Sequence, residues 1–180
     1  MSAEILIRPA TEADVAGIAE VHVQSWHATY PGILPAAEIE RHTPARRVGM
    51  WARVLVAADQ PSAAVLVAAR GGQVLGFASI GAFRVEPAEA AADASSALAG
   101  ELNALYLRPN WQRQGIGRSL FHATFASLRS RGFAEMRCWV LDANPAIAFY
   151  KRMGGERVAS KTFTVEGASV AEHCYRFDLA

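Results

Sequence analysis

The sequence contains few cysteines, with only Cys138 and Cys174 among 180 residues. Two thiols are too few for the disulfide framework that stabilises small secreted domains. Each lies in an apolar, strand-like run, which favours a buried free thiol over a metal ligand or a nucleophile. We therefore expect two reduced thiols. No spacing of His, Cys and carboxylate residues indicates a metal site.

The sequence also lacks an excess of charge of either sign. Its 18 basic residues are scattered and are offset by 17 acidic ones, giving a net charge of +1, so bulk electrostatics predict no nucleic-acid partner. There is no signal-peptide pattern and no run of about eighteen apolar residues, so we expect a soluble, cytoplasmic protein without a membrane partner. Because 52% of the residues are hydrophobic, the chain is predicted to fold as a single domain over residues 1–180.

The most informative stretch is residues 101–119, an apolar strand and a Pro-Asn turn followed by a glycine-containing loop that opens into a helix. Because Gly115 and Gly117 lack a Cβ atom, an anionic ligand can approach their backbone N–H groups closely. A helix start presents unpaired N–H donors and partial positive charge, so it suits a phosphate or pyrophosphate. Arg113 and Arg118 are placed to add charge-assisted contacts. A tight turn without a ligand is the alternative interpretation.

Two common phosphate-binding motifs do not fit this loop. The third glycine of the dinucleotide fingerprint is replaced by Leu120, and the Gly-Lys-Ser/Thr of the Walker loop is absent. The loop resembles instead the acetyl-CoA motif of the GNAT-type N-acetyltransferases, Gln/Arg-x-x-Gly-x-Gly/Ala, which Gln112, Gly115 and Gly117 match.

Two further stretches are similar to that family. One is the Leu-Tyr-Leu-x-Pro strand end at residues 105–109, and the other is the run from Asn144 to Gly154. The resemblance extends over nearly the whole chain. One departure is Gly155, which stands where an aromatic residue is usual and puts the local packing in doubt.

Hydrophobic periodicity and turn residues predict the element order β-α-α-β-β-β-α-β-α-β-β, a mixed α/β fold with an antiparallel first half. The strand-helix-strand unit around the glycine loop predicts one parallel strand pair. The resemblance implies that these two strands splay apart around acetyl-CoA, and that the two cysteines lie on neighbouring strands. The predicted strands are Glu4 to Arg8, Ala63 to Ala69, Gln73 to Phe83, Glu101 to Leu107, Glu135 to Leu141, Glu156 to Val165 and Ser169 to Leu179.

Four helices are predicted. The first begins after Thr11 as N-cap, with Asp14 completing a capping box, and the second begins near Pro44 and runs to about Ala57. The third begins at Gly117, and the fourth begins after Asn144 as N-cap. The first helix is expected to give way to a bend or a short helix within residues 25–35. Residues 84–100 are predicted to form a long loop, either a flap over the substrate or an idle insertion.

The resemblance assigns the cofactor contacts to the central strand, the glycine loop and the later helix start. The two amides of pantetheine are expected to pair with the strand backbone, and the pyrophosphate with the loop N–H groups. For Asn144, a role purely as N-cap is the alternative. The predicted cofactor-binding residues are Leu105, Tyr106, Leu107, Gln112, Arg113, Gln114, Gly115, Ile116, Gly117, Arg118, Ser119 and Asn144.

The same resemblance implies the catalytic residues. Acetyl transfer to an amine needs a neutral amine and a proton for the departing thiolate. Tyr150 matches the family's tyrosine near the sulfur and is the candidate general acid, while Glu101 matches a common position for a carboxylate base acting directly or through water. The alternatives are a packed tyrosine and a solvated glutamate. The candidate substrate-facing residues are Trp26, His27 and Tyr30, unless they only pack the first helix on the sheet.

The sequence therefore predicts an enzyme that transfers the acetyl group of acetyl-CoA to a primary amine of a small molecule or peptide, without a covalent enzyme intermediate. Two alternatives remain open: an idle CoA-binding or sensing domain, and an interaction module that has kept only the fold. A homodimer is possible because dimers are common in the family.

Overall fold

The computed structural model describes residues 4–58, 62–84 and 99–180. They form one mixed sheet of seven strands in the order β1-β2-β3-β4-β5-β7-β6. The strands are β1 (Leu6–Pro9), β2 (Ala64–Arg70), β3 (Gln73–Ala82), β4 (Ala99–Leu107), β5 (Glu135–Leu141), β6 (Glu156–Val165) and β7 (Ala168–Asp178). Strands β1 to β4 are antiparallel, β4 and β5 are parallel, and β7 pairs antiparallel with both β5 and β6. The predicted fold class is thus confirmed.

Helices cover both faces of the sheet. They are α1 (Val15–Thr29), α2 (Ala36–Glu40), α3 (Pro44–Ala57), α4 (Ile116–Ser130) and α5 (Ile147–Arg152). One core cluster joins α1 and α3 to the first strands through residues such as Ile18, Trp51 and Phe77. The other joins α4 and α5 to the opposite face through residues such as Leu120 and Met136.

The start of α1 is held by a buried carboxylate. Asp14 accepts hydrogen bonds from the Thr11 backbone N–H at 2.8 Å and from two guanidinium nitrogens of Arg8 at 2.7 and 2.8 Å. These partners, the Arg8 hydrogen bond above all, lower the pKa of Asp14 to about 2. The predicted capping box is confirmed, although a 3-10 turn at Glu12–Asp14 precedes the α-helix.

Several predicted boundaries differ from the structure. Helix α1 continues to Thr29, so the predicted bend falls only at the Tyr30–Pro35 turn, and α2 follows as a separate short helix. Helix α3 has the predicted bounds. Asn144 is not the N-cap of α5, because that helix begins only at Ile147; its side chain instead accepts from the Ala146 N–H at 2.9 Å in the preceding turn. Of the predicted 84–100 loop, residues 85–98 lie outside the described part, and residues 99–100 belong instead to β4, which begins at Ala99.

Strands β4 and β5 splay apart as expected. Their parallel ladder covers only residues 99–101 and 135–137, after which the two strands diverge. A register shift between Ser79 and Ile80 of β3 leaves Asn103 of β4 without a paired position there. Cys138 and Cys174 lie on neighbouring strands, buried and free, as predicted.

The unusual Gly155 has a packing partner of its own. A Cβ atom at this position would lie 2.7 Å from the ring of Phe177 and 3.0 Å from the carbonyl oxygen of Tyr150. The Gly155 N–H donates to that same carbonyl at 3.0 Å. The space beside Gly155 is therefore filled by an aromatic ring from β7, which accounts for the departure from the family pattern.

Candidate active site

A cavity of about 920 Å³ lies in the gap where β4 and β5 diverge. Its wall is formed by the end of α1, the α4 start, the α5 region and the β6–β7 hairpin. The structure brings together most of the predicted site residues here. They are Trp26, Tyr30, Leu105, Tyr106, Leu107, Gln112, Arg113, Gly115, Gly117, Arg118, Asn144 and Tyr150.

The cation-rich end of this cavity is the start of α4. Gly115 is the N-cap in a left-handed conformation with φ 85°, and Arg113 has φ 60°. Successive turns of this kind direct backbone N–H groups toward one point, where they form an anion-binding concavity. The N–H groups of the first helical turn have no acceptor within the helix. Together with Arg113 and Arg118, they fit the diphosphate of acetyl-CoA.

The two loop glycines serve different purposes. A Cβ atom on Gly115 would meet nothing within 4 Å, so glycine is favoured there by the positive φ. A Cβ atom on Gly117 would lie 3.2 Å from the Leu107 side chain. Gly117 therefore lets α4 lie close to β4. This packing is a second reason for glycine at this position, beside the predicted close approach of a ligand.

Five predicted residues are not part of the cavity wall. Ile116 is buried in the α4 core, and the Ser119 hydroxyl donates to the Gly115 carbonyl. Gln114 donates to the Asn110 carbonyl, and His27 is exposed on α1. The fifth is Glu101.

Glu101 is buried, with 5% of its surface exposed, beneath the guanidinium of Arg84. Its two carboxylate oxygens accept from Arg84 Nη2 at 3.0 Å, Nε at 3.2 Å and the backbone N–H at 3.2 Å. This carboxylate raises the pKa of Arg84. The carboxylate that the family resemblance assigned to proton abstraction is therefore engaged in an ion pair.

Tyr150 lies on α5 with its ring in the α4 core and reaches the cavity. Burial raises the pKa of its phenol well above the ordinary value. The described residues offer no hydrogen-bond partner to the hydroxyl. A phenol that stays protonated and uncommitted at the edge of a cavity is a suitable proton donor.

The α1 side of the cavity is a cluster of aromatic side chains. The Trp26 indole N–H donates to the Tyr106 hydroxyl at 3.2 Å, and Trp26 packs on Tyr30 with ring centroids 4.5 Å apart. Asn144 donates to the Tyr30 hydroxyl at 3.5 Å, and burial raises the pKa of Tyr30. Ser25 donates to the Leu107 carbonyl at 2.9 Å, so that predicted backbone site for pantetheine is already engaged.

The cavity residues that sequence reasoning missed include Glu38, Trp139, Phe163 and Glu172 from other elements. The strand register places Trp139, Phe163 and Glu172 on one face of the sheet, opposite α4. Side chains alternate between the two faces along a strand, so Trp139 and Glu172 lie on the opposite face from their sequence neighbours. This alternation is a signal in the sequence that could have identified them.

The sequence model of the acetyltransferase (GNAT) family matches residues 18–155. The chain belongs to this family. A relative from Bacillus subtilis (strain 168), the uncharacterized N-acetyltransferase YuaI, is 34% identical over 173 residues, covering 93% of this chain and 90% of that protein.

Solved structures of other acetyltransferases share the fold. An N-acetyltransferase from Staphylococcus aureus Mu50 has a TM-score of 0.74 and 19% identity, covering 99% of this chain and 100% of that chain. The structure of yncA from Salmonella typhimurium with its cofactor acetyl-CoA has a TM-score of 0.73 and 22% identity, covering 99% of this chain and 95% of that one.

This GNAT acetyltransferase uses acetyl-CoA. In the described ranges, none of its helices is long and apolar enough to cross a membrane. Nor do the described side chains group three or more His, Cys, Asp or Glu residues in a way that would hold a metal ion.

Proposed function

We propose that the enzyme transfers the acetyl group of acetyl-CoA directly to a primary amine of a small molecule or peptide. The observation that carries the proposal is one continuous cavity, which is lined by the start of α4, by Tyr150 and by the aromatic side at Trp26. A direct attack needs both substrates in the same cavity. The alternatives, an idle CoA-binding domain and a fold-only interaction module, need no acceptor site.

Bound acetyl-CoA supplies a thioester that is activated toward a nucleophile. In the proposal, the α4 amides with Arg113 and Arg118 bind its phosphates, and free backbone groups of β4 orient its pantetheine arm. Gln112 and Asn144 line the same route. Both cysteines lie outside the cavity lining and burial raises the pKa of Cys138, which supports transfer without an enzyme thioester.

Tyr150 is the proposed general acid and donates its hydroxyl proton to the departing thiolate. Glu101 is kept as a proposed base that acts through water, since its carboxylate is bound to Arg84 and does not line the cavity. A purely structural ion pair is the alternative for Glu101. Trp26 and Tyr30 are proposed to contact the acceptor, whereas the exposed His27 gives less support for such a role.

The proposed activity is tested by thiol release from acetyl-CoA across a panel of primary amines, with the acetylated product identified by mass. Calorimetry with acetyl-CoA separates the alternatives, because a fold-only module would give no binding and an idle domain would bind without release. Acetyl-CoA hydrolysis that no amine accelerates would contradict the proposal. Residues 1–180 as one domain, a cytoplasmic location and a homodimer stay predictions from the sequence and its family resemblance.

A further inference from the structure

Two buried nitrogen atoms beside the α1 wall of the cavity have no hydrogen-bond partner among the described residues. They are Nε2 of His22 on α1 and Nε of Arg47 on α3. A buried polar atom without a partner costs free energy, so an unpartnered pair in one region needs an explanation.

Both atoms are donors. The Trp51 indole N–H donates to Nδ1 of His22 at 3.2 Å, so the neutral ring carries its proton on Nε2. The ring is neutral because burial lowers the pKa of His22 to about 3, with Arg47 adding to the effect. Arg47 Nε always carries a proton. A ligand for this place must therefore supply acceptor atoms.

Arg47 is a half-buried cation without an anionic partner. Its Nη1 donates to the Met50 sulfur at 2.9 Å, a weak acceptor, and its guanidinium carbon lies 5.8 Å from the centroid of the Trp26 ring. Within residues 4–58, 62–84 and 99–180, no carboxylate lies at ion-pair distance from it. Burial lowers the pKa of Arg47, which is the signature of a desolvated cation.

Three other arginines of the described ranges show the contrast, because each has a carboxylate partner. Arg8 contacts Asp14, Arg84 contacts Glu101 and Arg108 contacts Glu20, all within hydrogen-bond distance. Arg47 differs from these arginines. The carboxylate that acts on it electrostatically is that of Glu38, which lines the cavity and forms its ion pair with Arg41 at 3.1 Å. The guanidinium thus lies behind Trp26, which lines the cavity, while Arg47 and His22 are not themselves among the lining residues.

We propose that Arg47, assisted by His22, binds a carboxylate of the acceptor, so that the enzyme acetylates primary amines that carry a carboxylate, such as amino acids. This inference rests on the proposed acetyl transfer and adds the substrate class. Arginine presents a fork of donors that matches a carboxylate. The single positive charge of Arg47, with the neutral His22 as a further donor, balances the one negative charge of a carboxylate. A phosphate dianion would keep one negative charge without a partner in a buried environment, which is unfavourable. The aromatic rings of Trp26 and Tyr30 suit an apolar side chain on the same acceptor.

The test compares acids with their amides. L-phenylalanine, L-leucine and β-alanine are each assayed against the corresponding amide, with the parent enzyme and with Arg47→Met, which keeps the length of the side chain and removes the charge. The parent is expected to favour the acids by on the order of 10²-fold in kcat/KM. Arg47→Met should abolish this preference through a higher KM for the acids. Arg46→Met is the matched control, since Arg46 is exposed on the same helix, and it should keep the preference.

A second measurement is independent of catalysis. Calorimetry of the same acids and amides with the enzyme saturated by coenzyme A should give binding of the acids only, and Arg47→Met should lose it. Thermal melting and acetyl-CoA binding check that the variant is folded. Equal use and equal binding of acids and amides, or a preference that survives Arg47→Met, would overturn the inference. Acids that bind through Arg47 but are never acetylated would instead leave the inference standing and remove the proposed transfer.

Discussion

Tyr150 combines an apolar ring environment with a place in the cavity lining. Its ring packs against Phe121 and Phe177, with centroids 6.3 Å away in each case, and only 8% of its surface is exposed. This packing fixes the ring, so the position of the hydroxyl depends little on hydrogen bonds. The expected consequence is that the ring and the hydroxyl can be separated by mutation.

Tyr150→Phe keeps the ring and removes the proton donor. We expect kcat to fall by on the order of 10²-fold, with acetyl-CoA affinity little changed. Steady-state kinetics and calorimetry measure the two quantities. Tyr175→Phe is the control, because Tyr175 is buried in the same core without lining the cavity. Unchanged turnover in Tyr150→Phe would remove Tyr150 from the mechanism.

Glu101→Gln distinguishes a base from a structural ion pair. If Glu101 is the base, the rate loss is largest at pH values where the amine is protonated and shrinks as the pH rises. Arg84→Met removes only the partner and should then leave that pH profile in place. A pH-independent loss, shared by Glu101→Gln and Arg84→Met, would assign the carboxylate to structure instead.

At the scale of elements, the loop before α4 depends on one backbone conformation. Gly115 at φ 85° is the N-cap of the helix and lines the cavity. A side chain there meets no atom within 4 Å, so the cost of substitution comes from the backbone and not from a clash. Non-glycine residues in sparsely populated conformations cost about 1–3 kcal/mol.

If the loop relaxes this strain, its N–H groups change direction, so Gly115→Val should weaken acetyl-CoA binding by roughly tenfold or more, which is about 1.4 kcal/mol of binding free energy. Gly132→Val is a matched control at the other end of α4, because Gly132 also has φ 85° and open space around it but does not line the cavity. Both variants are expected to lose similar stability in denaturant unfolding. The site is misplaced if folded Gly115→Val binds acetyl-CoA as tightly as the parent.

For the whole molecule, His22 couples stability to pH. It lies where α1 and α3 pack on the sheet, 6% exposed, and its pKa is lowered from 6.5 to about 3. The unfolded chain takes up the proton near pH 6.5 and the folded protein only near pH 3. The unfolded state thus binds more protons in this interval, and stability falls as the pH is lowered through it.

Denaturant unfolding between pH 7 and pH 4 measures this linkage. The parent should lose up to about 1.4 kcal/mol of unfolding free energy per pH unit through this one group. His22→Gln lowers stability at pH 7 but should lack that part of the slope. His27→Gln, at an exposed position of the same helix, should keep the parental slope. An identical pH dependence in His22→Gln and the parent would contradict the buried neutral histidine.

The sequence by itself determined the elements whose signals are local. The bounds of α3 and β5, the turn at Gly132 and the strand-helix-strand unit around Gly115 follow from turn residues and periodicity, which act within a few residues. The motif at Gln112, Gly115 and Gly117 was local too. These signals were sufficient for the fold class and for the glycine loop that lines one end of the cavity.

Only the tertiary structure decided which side chains meet across elements. The Arg84 ion pair keeps Glu101 out of the cavity lining, and Trp139, Phe163 and Glu172 join the cavity from distant strands. The unpartnered Arg47 is likewise visible only when α3 is seen against Trp26. Periodicity reports the face that a residue occupies on its own element, whereas partners, burial and pKa depend on what the other elements bring to that face.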